Sequence, residues 1–286
     1  MDIVDAQFHL FMTMDAEAGL CAMDALGIRS VLIDELWGAT SARMDPDGSM
    51  PGLRLPGGQW RATSPGGQMA SLRWPERYGF QLRLYPNDPD LESVMTEIAR
   101  APGHRAFRYD SRDAHERDAA AAGDRMDLFR IAQRLGRPIS VTGRIPDFEQ
   151  YFRAFPDLLF LLDHCGVPRS EADFEHILGL ARYPNLRLKW SHAPRILHGG
   201  AYPFQPARDK LYRAIDAWGR DRIMWGSDFT AIPMVCANFG GEPYSWAEAL
   251  FYIRDDPHLS AEDKAWLLGR TARQVYDWPA TAPQSA

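Results

Sequence analysis

The run Leu158-Leu159-Phe160-Leu161-Leu162-Asp163-His164-Cys165-Gly166 leads an unbroken apolar stretch directly into Asp, His and Gly. A strand buried on both faces reads this way, as in parallel sheets covered by helices. Two further stretches have the same form: Ile3-Val4-Asp5-Ala6-Gln7-Phe8-His9 and Arg222-Ile223-Met224-Trp225-Gly226-Ser227-Asp228. In each, apolar residues give way to His or Asp at the C-terminal end. A closed barrel of parallel strands builds its chemistry at that end.

Outward from these stretches the chain alternates. Strands are expected at Ile3–Gln7, Ser30–Ile33, Phe80–Leu84, Arg105–Tyr109, Pro138–Thr142, Leu158–Asp163, Leu186–Trp190 and Ile223–Gly226. Helical spacing falls at Ala16–Leu26, Gln68–Tyr78, Leu91–Ala101, Arg125–Leu135, Phe148–Phe155, Phe174–Arg182, Ala207–Trp218, Trp246–Arg254 and Glu262–Val275. Such alternation fits a barrel or an open doubly wound sheet. No G-x-G-x-x-G follows a strand, which removes the main support for the dinucleotide-binding version. The expectation is an α/β fold, a (β/α)8 TIM barrel. It would be a single domain over 1–279 with a tail at 280–286. The Gly- and Pro-rich stretch Gly38–Gly67 is expected as a long loop over the C-terminal face, serving as a lid or as a passive insertion.

A chain of 286 residues suits one α/β barrel. Its net charge of −6 argues against a nucleic-acid partner, which calls for a basic face. The 3 cysteines, Cys21, Cys165 and Cys236, are far apart and form neither a disulfide framework nor a zinc motif. There is no basic, apolar leader and no run near the roughly 20 apolar residues of a membrane span. A cytoplasmic protein with a small-molecule partner is expected.

Candidate site residues follow from the strand ends. His9 lies two residues after Gln7 and so shares its strand face. A His there can hold a metal, move a proton or hold a substrate oxygen, or simply satisfy a backbone group. Of Asp163 and His164, alternation sends one inward and one outward. Asp228 can take a proton from water, or cap the following helix. Arg108 and Arg144, at the fourth and fifth strand ends, suit a carboxylate, or surface ion pairs. Lys189, Trp190, Ser191 and His192 follow on the seventh strand, with register open. No G-x-S-x-G elbow is present, and Cys165 reads as a small buried hydrophobe.

The stretches Val4–His9, Phe160–Pro168, Asn185–Ser191 and Arg222–Asp228 together resemble the amidohydrolase superfamily, in its amidohydrolase-related group. That group includes pyrone-dicarboxylate lactonase, sugar-acid lactonases and aminocarboxymuconate-semialdehyde decarboxylase. The resemblance implies two His in a D-x-H-x-H opening, a strand-five His and the strand-eight Asp as metal ligands. Here Gln7 stands at the first His position, and Ile139-Ser140-Val141-Thr142-Gly143 has no His. An amide oxygen is a poor zinc ligand. The expectation is therefore no tightly bound metal and no required cofactor. A weakly held Zn or Mn would use His9, Asp228 and Gln7.

By the same resemblance, Asp228 would be the base and His9 and His164 would stabilise the oxyanion. Gln7, Arg108, Arg144, Trp190 and His192 would bind an anionic, possibly aromatic substrate, with Trp37, Trp60, Tyr202 and Phe204 as candidate aromatic walls. The expected reaction is hydrolysis of a small cyclic ester. Two alternatives stand beside it: a metal-dependent decarboxylase or C–C hydrolase of small acids, and a catalytically inactive barrel that binds ligands. A homodimer is compatible with such relatives.

Overall fold

The structure is a computed structural model, and it describes residues 1–10, 14–35 and 64–279. Eight parallel strands follow one another around a sheet in chain order. They are β1 (Ile3–Phe8), β2 (Ile28–Asp34), β3 (Tyr78–Arg83), β4 (His104–Asp110), β5 (Ile139–Thr142), β6 (Phe160–Leu162), β7 (Leu186–Trp190) and β8 (Ile223–Trp225). Between β1 and the end of β8, Asp228 N donates to Gln7 O (2.8 Å) and His9 N donates to Phe229 O (2.7 Å). This is the expected (β/α)8 barrel, nearly closed.

Period-two alternation explains what fills it. Val4, Ala6, Leu32, Ala106, Leu161 and Met224 form one apolar cluster inside the barrel, completed by Tyr276 and Trp278 from the end of the chain. A second, larger core lies between strands and helices. Two residues beyond Leu32, Ala106 and Leu161 stand Asp34, Arg108 and Asp163, all fully buried. The inward faces of β2, β4 and β6 thus change from apolar to charged in a single step toward their C-terminal ends.

Several helices differ from expectation. The stretch read as Gln68–Tyr78 is a helix at Pro65–Arg73, with Pro in its first turn, and Tyr78 already begins β3. The helices Ala114–Ala122 and Ile232–Phe239 were not expected. Ala114–Ala122 is a short run of Ala and charge with no apolar stripe. It is fixed by Asp113, which accepts from Glu116 N (3.0 Å), and by the left-handed Gly123. The final helical stretch is broken by a π-helical turn at Trp266–Arg270. The expected loop Gly38–Gly67, with Trp37 and Trp60, falls largely on residues outside those described, as does the tail 280–286.

Candidate active site

Two polar assemblies sit at the C-terminal end of the barrel. The first is a layer of fixed charge. Arg83 Nε donates to Asp34 Oδ1 (3.0 Å), and Arg108 donates to Asp34 Oδ2. Arg108 Nε also lies 2.9 Å from Asp163 Oδ2, and Lys189 Nζ lies 3.0 Å from Asp163 Oδ1. Thr142 Oγ1 donates to Asp163 Oδ2 (2.8 Å). Burial would push both carboxyls up. Arg108 and Arg83 outweigh it at Asp34, and Arg108 and Lys189 at Asp163, so both are held low. Each acid meets two cations, the condition under which buried charge is tolerable.

The second assembly surrounds Asp228, whose backbone is left-handed (φ 56°) just past β8. His9 Nε2 donates to its Oδ1 (2.9 Å), and His192 Nε2 contacts its Oδ2. Burial would raise the Asp228 carboxyl, but His192, His9 and His164 together hold it well below the usual carboxylate range. The far ring nitrogens are anchored in turn. His9 Nδ1 meets Asp34 O, and His192 Nδ1 lies 3.3 Å from the Tyr244 hydroxyl.

His164 resolves the expected choice between itself and Asp163. Asp163 points into the charged layer, as alternation requires. His164 and Cys165 then take left-handed backbone (φ 52° and 57°), which breaks the alternation and lets His164 serve the same end of the barrel. Arg108 Nη2, always a donor, lies 3.3 Å from His164 Nε2. The proton of a neutral His164 therefore sits on Nδ1, which faces Ser191 Oγ at 2.9 Å. Burial pushes this imidazole down to about 3, so it is neutral near pH 7. The Cys165 thiol beside it is fully buried and pushed up, which suits the expected inert role.

The remaining candidates divide. Gln7 is fully buried, and neither atom of its amide has a hydrogen-bond partner among the described residues. Arg108 belongs to the charged layer. Trp190 follows the inward-facing Lys189, so alternation turns it to the outer core, where it is buried. Phe204 is buried edge-on to Tyr244 and Tyr252, whereas Tyr202 is half exposed. Arg144 is exposed and lines a cavity of about 480 Å³ with residues following β4, β5 and β6. Asp34, Arg83 and Tyr244 were not among the expected site residues. Asp34 ends its strand in an acid, the same signal that singled out Asp228, but the expected strand stopped one residue short of it.

The profile of the amidohydrolase family matches residues 68–278. The chain belongs to that family. No curated protein sequence matches this amidohydrolase. Among solved structures it is similar to an amidohydrolase from Burkholderia multivorans with bound HEPES. That likeness has 19% identity and a TM-score of 0.71, over 98% of this chain and 100% of that one. A crystal of an amidohydrolase from the same organism holds zinc; it is 18% identical at a TM-score of 0.70, over 98% and 100% of the two chains. The decarboxylase of 2,6-dihydroxybenzoate from Rhizobium is 13% identical, with a TM-score of 0.61, over 97% and 99%. At these identities the likeness shows the fold.

The donor chemistry of this amidohydrolase admits a divalent ion. One atom each of His164, His192 and Asp228 lie within 4.8 Å of one another, all three residues buried. Imidazole and carboxylate are the donors zinc takes. This group differs from the expected set of His9, Asp228 and Gln7: it shares Asp228, and His164 and His192 stand in it in place of His9 and the Gln7 amide. No helix among the described residues is long and apolar enough to cross a membrane.

Proposed function

We propose that this amidohydrolase hydrolyses a small anionic cyclic ester, with Asp228 activating the attacking water. The observation that carries the reading is the Asp228 carboxylate, buried at the barrel mouth and contacted by His9 and His192 on its two oxygens. An ester carbonyl is electrophilic enough for a base plus oxyanion donors to suffice.

In the steps that follow, Asp228 accepts a proton from water as the water oxygen bonds to the carbonyl carbon. Clasped by imidazoles, Asp228 is a weak base. A carbonyl oxygen that draws the N–H donors of His9 and His192 toward itself frees the carboxylate and raises its basicity. The same donors then stabilise the oxyanion, with His164 kept neutral beside them. The ring C–O bond breaks, and the alkoxide leaves with the proton held by Asp228. The product is a hydroxy acid.

A divalent ion held by His164, His192 and Asp228 would supply Lewis-acid polarisation of the carbonyl and a more acidic water. We propose that the chain holds such an ion weakly. Asp228 already contacts two imidazoles, and His164 Nε2 faces a guanidinium, so an ion must displace existing partners. Melting curves against Zn2+ or Mn2+ check this. Stabilisation is expected only at ion concentrations far above that of the protein, and is lost in His192→Ala. A stoichiometric rise would contradict weak binding.

A panel of carboxylate-bearing lactones, followed by acid release, tests the reaction. Hydroxy-acid formation is the expected outcome. Carbon dioxide release from a small carboxylic acid, with no lactone opened, would replace hydrolysis by decarboxylation.

A further inference from the structure

His164 and His192 are neighbouring imidazoles, with ring centroids 5.3 Å apart, and the groups around them impose opposite proton positions. At His164 the Arg108 guanidinium faces Nε2, and the proton sits on Nδ1, toward Ser191. Both nitrogens of that ring are engaged by groups other than Asp228.

At His192 the order is reversed. Nε2 lies against the Asp228 carboxylate, which is held ionised and can only accept. A lone pair there would face another lone pair, so Nε2 carries the proton. Nδ1 lies 3.3 Å from the Tyr244 hydroxyl. That hydroxyl is buried and has no other hydrogen-bond partner among the described residues, so its O–H donates to the Nδ1 lone pair. Burial, reinforced by the Asp228 charge, pushes the Tyr244 hydroxyl well above its ordinary range, and it stays protonated near pH 7.

The segment carrying Tyr244 docks at a second point on the segment carrying His192. Arg195, three residues after His192, donates from Nη2 to Glu242 O, and its Cζ stands 5.4 Å from the centroid of the Tyr244 ring. Gly241 permits this approach: its φ is +90°, and a Cβ there would fall 2.8 Å from Arg195 Nη1. Phe204 meets the Tyr244 ring at 5.5 Å and 64°. With its ring gripped on these sides, Tyr244 has little freedom to swing its hydroxyl away from His192.

We propose that Tyr244 is a positioning residue: its hydroxyl donates to His192 Nδ1 and keeps His192 Nε2–H turned into the reaction centre, which makes His192 rather than His164 the oxyanion donor of the pair. Anchored at Nδ1, the imidazole can pivot from Asp228 to the carbonyl oxygen without turning out of the centre. Without the anchor the ring is free to rotate about its side-chain bond, and Nε2–H leaves the line to the carbonyl. No proton leaves Tyr244 in this role. The catalytic consequence rests on the hydrolase reading; the hydrogen-bond pattern of the two imidazoles does not.

Nitrogen-15 NMR of histidine-labelled protein near pH 7 reads that pattern, with signals assigned by their loss in His192→Phe and His164→Phe. Each ring is expected to carry one proton, on Nε2 in His192 and on Nδ1 in His164. Tyr244→Phe keeps the aromatic ring against Phe204. It should move the His192 Nδ1 signal to that of a nitrogen without a hydrogen bond and leave the His164 signals in place. On a lactone the wild type opens, the same variant should lower kcat about tenfold, the scale of one hydrogen bond, with KM within about twofold. A proton on His192 Nδ1 in wild type, or a His192 spectrum that Tyr244→Phe leaves unchanged, overturns the proposal. So does an unchanged kcat in that variant, or movement of the His164 signals together with those of His192, which would mark a general loss of structure. The expected spectra in a protein that opens no lactone keep the anchor and lose the hydrolase reading. Lactone hydrolysis with a His192 spectrum indifferent to Tyr244→Phe does the reverse.

Discussion

The charged layer and the Asp228 cluster stand side by side at one end of the barrel, yet they use opposite electrostatics. In the layer, Asp34 and Asp163 each face two basic side chains from among Arg83, Arg108 and Lys189. Such charges are neutralised within the fold, and withdrawing either carboxylate leaves buried positive charge in excess. In the cluster, the Asp228 carboxylate faces imidazoles, whose N–H donors can turn elsewhere. The first arrangement holds strands in place. The second can give up its contacts to a substrate.

The largest expected effect comes from breaking the layer. Asp34→Ala strips the carboxylate shared by Arg83 and Arg108 and leaves buried positive charge, at a cost of about 3–5 kcal/mol. Melting should fall by roughly 10 °C. A variant melting within about 2 °C of wild type, the shift expected from about 1 kcal/mol or less, would show that the layer is not what holds the strands.

Next comes the cluster. His192→Phe keeps the volume of the ring and removes one partner of Asp228. Turnover should fall about a hundredfold, with little change in melting temperature. A loss of stability matching that of Asp34→Ala would erase the distinction between the two assemblies.

His104 sharpens the contrast from outside the barrel. It is buried between Phe80 and Phe107, and neither ring nitrogen has a hydrogen bond among the described residues. Burial pushes it down to about 3. Below about pH 6.5 the unfolded chain gains a proton there that the folded chain refuses, so stability falls as pH falls. Between pH 6.5 and pH 5 this imidazole should cost about 2 kcal/mol, and His104→Phe should flatten that part of the stability curve. An unchanged curve would place the acid sensitivity elsewhere.

The barrel was legible because β6 and β8 read as apolar runs with polar ends, and that pattern survives in the structure. His9, His164 and Asp228 were legible for the same reason, and the structure brings all three together. Asp34 and Arg83 were not. Ser30–Ile33 stopped short of Asp34, and Arg83 lay inside an expected strand, where no sequence signal marked it as facing a carboxylate. The side on which His164 falls depends on left-handed backbone at His164 and Cys165, which strand alternation cannot express. Tyr244 reaches His192 from a segment 52 residues away, a proximity set only by closure of the barrel.

The most direct measurement is turnover of Asp228→Asn on a lactone the wild type opens, taken together with its melting temperature. Turnover is expected to fall by about a thousandfold or more while melting stays near wild type. Turnover within about tenfold of wild type would contradict it, because the water would then be activated by some group other than Asp228.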